Sequence, residues 1–316
     1  RAEIFSDGYE APVRLVAAMT IHGSGISVDF AGTSGLSGRG INMPAAYCRA
    51  YSCFGIKVAV APEIPNNYAS LAPFTMDIPD RCILNAPRPF PVSVRHVVGQ
   101  LLPDLMMGCL AQAIPDRVAA EGSSCLWNPP LRGGGAVSGA AAELPDFEVI
   151  TFNSGGTGAR PTRDGLDGTA FPSGVRTMPV EATENFAPVV FWQKELRPDS
   201  GGAGRTRGGF GQVMEIGAAG EAEFAVNAIF DRVGHPPKGR FGGGEGAAGV
   251  VRRTSGAALR TKGFQIIPKG DRLLLLLPGG GGMGPPSERD PAAVARDVRA
   301  GLVSAEAARA QYGWKG

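Results

Sequence analysis

The sequence predicts an α+β fold: a glycine-rich β-sandwich or barrel-like body, a helix-containing N-terminal region, and short C-terminal helices. Three observations carry this reading. The 316 residues include 47 glycines and 26 prolines, about twice the usual glycine share. Yet 43% of the chain is hydrophobic, enough to bury a core. Finally, short β-like runs alternate with glycine clusters from about residue 143, whereas helical periodicity is confined to the first third and the tail. So much glycine excludes a long bundle or coiled coil, and the lack of a triplet period excludes collagen.

Residues 12–21 alternate loosely, Gly23-Ser24-Gly25 interrupts them, and Ile26, Val28 and Phe30 resume with period two, a hairpin signature. Pro44 opens and Gly55 closes an alanine-rich helix, by the usual start and stop chemistry. Pro62 to Asn67 forms turns. A second helix spans about Val94 to Gln112, with an apolar face that includes Val97, Val98, Leu101, Leu105 and Cys109 and a break or kink expected at Pro103. Strands are expected over Phe147–Phe152, Pro188–Trp192, Gly211–Ile216, Glu221–Ile229 and, as one run, Gly263–Leu277. The glycine clusters between them, including 201–204 and 279–282, read as tight turns requiring positive φ. Asp290-Pro291 and Ser304 start two terminal helices. The resulting organisation is an α+β region over 1–142, a glycine-rich β region over 143–286, and a helical tail over 287–316.

Thirty-one basic and 29 acidic residues leave a net charge of +2, and no basic block points to nucleic acid. The longest apolar run, Leu273–Leu277, is far shorter than the ~20 residues of a membrane span, and no signal peptide is visible. Five cysteines without Cys-x-x-Cys spacing read as buried thiols in a reducing compartment. A cytoplasmic location is expected. The start at Arg1, without methionine, reads as a fragment or a trimmed product.

No P-loop or dinucleotide glycine spacing occurs, so no ATP site is expected in this chain alone. His22, His96 and His235 stand apart from other ligands, and no metal site within this chain is expected. His96, at the start of the second helix, either caps or packs there or presents its imidazole to a pocket. The polar loop 153–168 carries Asp164 and Asp167, each followed by glycine. They are either turn formers or a general acid or base, or else hard-cation ligands. Downstream, Arg176 with Glu181 or Glu184 is either a structural ion pair or part of a binding site. No nucleophile elbow is present.

Several strings resemble the hydantoinase B/oxoprolinase family: Val28-Asp29-Phe30-Ala31-Gly32-Thr33-Ser34, Ile64-Pro65-Asn66-Asn67, Leu84-Asn85-Ala86-Pro87-Arg88-Pro89 and Val94-Arg95-His96-Val97-Val98-Gly99. So do Gly155-Gly156-Thr157-Gly158-Ala159-Arg160, Asp164-Gly165-Leu166-Asp167-Gly168 and Pro278 to Gly284. The most specific is Glu195-Leu196-Arg197-Pro198-Asp199-Ser200-Gly201-Gly202-Ala203-Gly204-Arg205. The resemblance is to N-methylhydantoinase B-like subunits and covers the chain in order.

It implies one half of an ATP-dependent cyclic-amide hydrolase. A hydantoinase A-type, kinase-like subunit phosphorylates the substrate's carbonyl oxygen, and the B-type part hydrolyses the activated bond. Related complexes carboxylate acetone or acetophenone, which leaves a ketone carboxylase subunit, or a non-catalytic assembly module, as alternatives. ATP and a divalent metal belong to the full complex. The family's B-type subunits are usually about twice this long, with an Asn-Asp-Pro-Tyr-type segment and a histidine–aspartate cluster in an N-terminal half that is absent here, to be supplied in cis or in trans. Ala69 also departs from the glycine expected there. The candidate catalytic residues are Asp164, Asp167 and His96. The substrate-binding candidates, for a small cyclic amide, are Asn66, Asn67, Arg95, Arg176 and Glu181.

Overall fold

A computed structural model describes residues 1–316. Contacts divide them into one unit of residues 1–120 with 160–162, and a second of 121–159 with 163–316. The division falls at 120/121, where the sequence pattern had suggested 142/143, and the tail 287–316 belongs to the second unit.

In the first unit, β1 (Ala2–Ser6), β2 (Val13–His22) and β3 (Gly25–Asp29) form an antiparallel meander. The expected hairpin turns at Gly23-Ser24, where His22 pairs with Gly25. The helix α1 (Ala45–Val60) starts after Pro44 as expected, but it runs on through Gly55. That glycine permits a close helix crossing: a Cβ there would lie 2.6 Å from Cα of Pro103. After the short α2 (Tyr68–Leu71), β4 (Phe74–Asp77) joins β3 in parallel and completes a four-stranded sheet. The expected second helix is two, α3 (His96–Gly99) and α4 (Leu102–Leu110). Pro103 sits in the first turn of α4, where its missing N–H costs nothing. Leu15, Val28, Ile56, Val98, Leu105 and Met106 form the core.

The second unit holds β5 (Pro130–Gly133), α5 (Gly135–Ser138), β6 (Phe147–Ile150), α6 (Val180–Phe186), β7 (Val189–Leu196), β8 (Gln212–Ala218), β9 (Phe224–Ile229), β10 (Val250–Arg253), β11 (Lys262–Ile267) and β12 (Leu273–Leu276). One sheet has the order β10-β12-β8-β7 and the other β11-β9-β5-β6. Met214, Ile216, Leu273 and Leu275 of the first share a single core with Leu131, Phe224, Val226 and Ile267 of the second. This is a sandwich without a closed barrel. The run 263–277 is two strands in different sheets, turned at Gly270 (φ +77°). Trp127 is fully buried at 4.6 Å from the Phe230 ring, and its Nε1 donates to the Asp231 carbonyl at 3.0 Å.

Beyond the strand ends, the backbone of residues 278–284 is hydrogen-bonded on several sides. Gly280 N donates to Gly209 O at 2.9 Å, Gly202 N to Gly280 O at 2.8 Å, Gly282 N to Gly244 O at 2.9 Å, and Ala159 N to Gly281 O at 2.9 Å. These glycines are not turn residues. Gly208 and Gly280 lack positive φ, yet a Cβ on Gly208 would lie 1.8 Å from Gly280 O, and one on Gly280 would lie 1.9 Å from Thr157 O. Glycine is required because backbones pack directly against one another.

The tail forms α7 (Pro291–Arg299) and α8 (Ala305–Tyr312) with the expected caps. Asp290 accepts from Ala292 N at 2.9 Å, and Ser304 from Ala307 N at 3.1 Å. All five cysteines are buried free thiols. No helix is long and apolar enough to cross a membrane.

Candidate functional site

The polar loop 153–168 is held in place by backbone bonds to the segment 207–210 and by one across the loop itself. Gly165 N donates to Arg207 O at 2.8 Å, Gly168 N to Phe210 O at 2.8 Å, and Thr157 N to Leu166 O at 3.0 Å. This anchoring directs both candidate aspartates at arginines. Asp164 takes Arg289 bidentately, Nη1 to Oδ1 at 2.7 Å and Nη2 to Oδ2 at 2.8 Å, and also accepts from Arg207 N at 2.8 Å. Asp167 accepts from Arg207 Nη1 at 2.9 Å and from Phe210 N at 2.8 Å. Asp297 of α7 closes the cluster, meeting Arg207 Nε at 3.2 Å and Arg289 Nη2 at 2.8 Å.

Three carboxylates thus surround two guanidiniums, whose side chains are only 8% and 3% exposed for Arg207 and Arg289. Arg207 lies 4.0 Å over the Phe210 ring. Burial pushes the Asp164 carboxyl up, but the hydrogen bonds and charge of Arg289 outweigh it and hold it below the usual carboxylate range. Burial alone would lower Arg289, and Asp164 reverses that and raises it. A carboxylate stabilised in this way is a weak proton acceptor. The cluster also does not fit a divalent cation, because guanidiniums occupy the faces where one would bind. Its geometry is that of a clasp joining the loop 164–167, the segment 205–210 and the C-terminal helices.

Asn66 and Asn67 are exposed, and Asn67 caps α2 in a reciprocal box with Ser70, Ser70 N to Oδ1 at 2.9 Å and Asn67 N to Ser70 Oγ at 3.1 Å. Arg95 is exposed and lies 5.5 Å from the ring of Tyr47, which stacks on Tyr51 at 4.5 Å. His96 is half-buried as the first residue of α3.

In the second unit, Arg176 is exposed and forms no ion pair with Glu181 or Glu184. Glu184 instead accepts from Phe191 N at 2.8 Å, blunting the edge strand β7. Lys194 Nζ donates to Thr177 Oγ1 at 3.0 Å and to Met178 O at 3.2 Å, and Thr177 Oγ1 donates to Phe152 O at 3.1 Å. Burial lowers the Lys194 pKa, opposed by the charge of Glu181.

Sequence reasoning missed Arg207, Arg289 and Asp297. The one usable signal was Arg207 inside a glycine string, where a long charged side chain needs a buried partner.

This combination defines a class: an α+β chain whose β-sandwich opens into a layer of closely packed glycine backbone, clasped to terminal helices by arginine–aspartate pairs. The chain belongs to the Hydantoinase B/oxoprolinase family, whose model matches residues 1–286. It is 31% identical over 294 residues to an uncharacterised protein of Methanocaldococcus jannaschii, covering 91% of this chain and 50% of that one. It is 28% identical over 337 residues to a protein of Pseudomonas sp. strain NS671 provisionally named as the B-type subunit of a D-/L-hydantoinase, covering 99% and 55%. Its fold matches the crystal structure of ATP-dependent caprolactamase from Pseudomonas jessenii with a TM-score of 0.80 at 24% identity, covering 95% of this chain and 53% of that one. The chain therefore spans about half the length of the curated relatives it matches.

Proposed function

We propose that this chain is the C-terminal portion of the B-type subunit of an ATP-dependent cyclic-amide hydrolase. Its substrates would be hydantoin- or 5-oxoproline-type rings already phosphorylated by a separate A-type subunit. The observation that supports this most is the extent of the likeness: 99% of the chain aligns with the relative named as a hydantoinase B-type subunit.

The chemistry is coherent. Amide resonance makes a ring carbonyl a poor electrophile, and phosphorylating its oxygen yields an imidate-like carbon with a good leaving group. ATP and a divalent metal are assigned to the whole complex. This chain contributes surface: the loop 153–168 and the segment 171–184 shape the substrate pocket, with Arg176 exposed ahead of α6 and Glu181 exposed in its first turn. Asp164 and Asp167 hold the first loop in position.

The test is reconstitution with the A-type subunit and the remaining B-type segment, followed by Arg176→Ala and Glu181→Ala. Loss of turnover with assembly intact supports the pocket role. Loss of assembly alone makes the chain a docking module.

A further inference from the structure

Alternating positions run inward along the two facing sheets. On β6 and its continuation these are Val149, Thr151 and Asn153, all buried, and on β8 they are Gln212, Met214 and Ile216, all buried. The two carboxamides, Asn153 and Gln212, fall where the strands give way to the glycine layer. One short piece of backbone links the two places: Leu277 N donates to Gln212 O at 2.8 Å, and the adjacent Pro278 O accepts from Gly156 N at 3.0 Å. The segment 168–178 borders both. Thr169 N donates to Gly155 O at 3.0 Å and Thr177 Oγ1 to Phe152 O at 3.1 Å, and a Cβ on Gly168 would lie 2.7 Å from Gln212 Nε2.

Asn153 is 1% exposed and Gln212 9%. Asn153 Nδ2 is spent on Trp127 O at 2.9 Å and Thr151 Oγ1 at 3.0 Å. The carbonyl oxygens Asn153 Oδ1 and Gln212 Oε1 have no hydrogen-bond partner, and neither has Ser173 Oγ on the bordering segment. Buried acceptors are rarely left without a donor. Two carbonyl oxygens and a hydroxyl together call for a group that donates N–H and accepts one hydrogen bond.

We propose that Asn153 Oδ1 and Gln212 Oε1, with Ser173 Oγ, form the part of a small-molecule site that reads N–H groups. The ligand class is a compact ring carrying an amide or ureide N–H. The identity of the ring rests on the hydrolase reading above; the site itself rests on the three unpartnered atoms.

The full chain is titrated calorimetrically with hydantoin, 5-oxoproline and ε-caprolactam, and with their N-methylated counterparts. At least one N–H ring binds saturably, and N-methylation weakens it at least about tenfold. Gln212→Met, close in volume but without the acceptor, weakens it comparably while the melting temperature holds or rises. Ser173→Ala, outside the strands, weakens it severalfold and serves if the first variant misfolds. Equal affinity for N–H and N-methyl rings, unchanged binding in both variants, or no saturable binding because these atoms hold structural water only would overturn the site. In the reconstituted complex, ATP-dependent turnover with an unchanged KM in Gln212→Met also sinks the site but leaves the hydrolase reading intact. N–H-dependent binding without any turnover does the reverse.

Discussion

Arg289 grips Asp164 through two parallel hydrogen bonds of 2.7 and 2.8 Å across 125 residues of sequence, one partner ahead of the C-terminal helices and the other in the loop 153–168. Bidentate pairs of this kind fix orientation as well as distance. The pair therefore ties the placement of the loop 153–168, proposed to shape the substrate pocket, to the integrity of the chain's tail.

Removing one member leaves charge uncompensated in a largely buried cluster. Arg289→Met is expected to cost about 3 kcal/mol and to expose residues 287–316 to protease. Asp164→Asn combined with Arg289→Met is expected to cost less than the sum of the two. Denaturation midpoints and limited proteolysis check both expectations, and additive losses would show that the pair is not coupled.

The clasp also sets an acid limit. Because Asp164 titrates lower in the folded chain than its unfolded value of about 3.9, its contribution is complete above that value and is lost as pH falls through the folded pKa. The stability gap between the wild-type chain and Asp164→Asn is expected to be flat from about pH 6 to 8 and to shrink below about pH 4. A gap that widens on acidification would contradict the assignment.

The glycine layer predicts an unusual contrast among alanine substitutions. Gly280→Ala places a methyl 1.9 Å from Thr157 O, and soluble folded protein is expected to be lost. Gly220, with φ +62° and open space around it, is expected to cost only about 1–2 kcal/mol. Similar losses at the two positions, read by expression and melting temperature, would refute the close-approach explanation.

The thiols are expected to be inert in the folded state. Burial pushes the Cys48 thiol up to about 12, and all five cysteines are buried. Iodoacetamide at pH 8 should leave the native chain unlabelled and modify five sites after denaturation. Rapid labelling of Cys48 in the native chain would be inconsistent with that burial.

What could be read from sequence was local. The Asp290 and Ser304 caps, the Gly23-Ser24 turn and the period-two run at Ile26 announce themselves because their chemistry acts within a few residues. Gly55 was misread as a helix stop because its partner, Pro103, is remote in sequence. Residues 263–277 looked like one strand, since nothing in an apolar run says which of two facing sheets it joins. The glycine clusters resembled turns because their reason lies in other segments. Asp164 and Asp167 were visible as a pair, but Arg207, Arg289 and Asp297 come from distant positions. The buried carboxamides of Asn153 and Gln212 carried no motif at all.

The central claim is that this chain works within an ATP-dependent hydrolase of cyclic amides. The most direct measurement follows ATP consumption and ring opening together, with hydantoin, 5-oxoproline or ε-caprolactam, in the complex of this chain, the remaining B-type segment and the A-type subunit. The account predicts ring opening coupled to ATP hydrolysis, unaffected by removal of bicarbonate, and none from this chain alone. Bicarbonate-dependent carboxylation by the complex, or ring opening by the isolated chain, would contradict it.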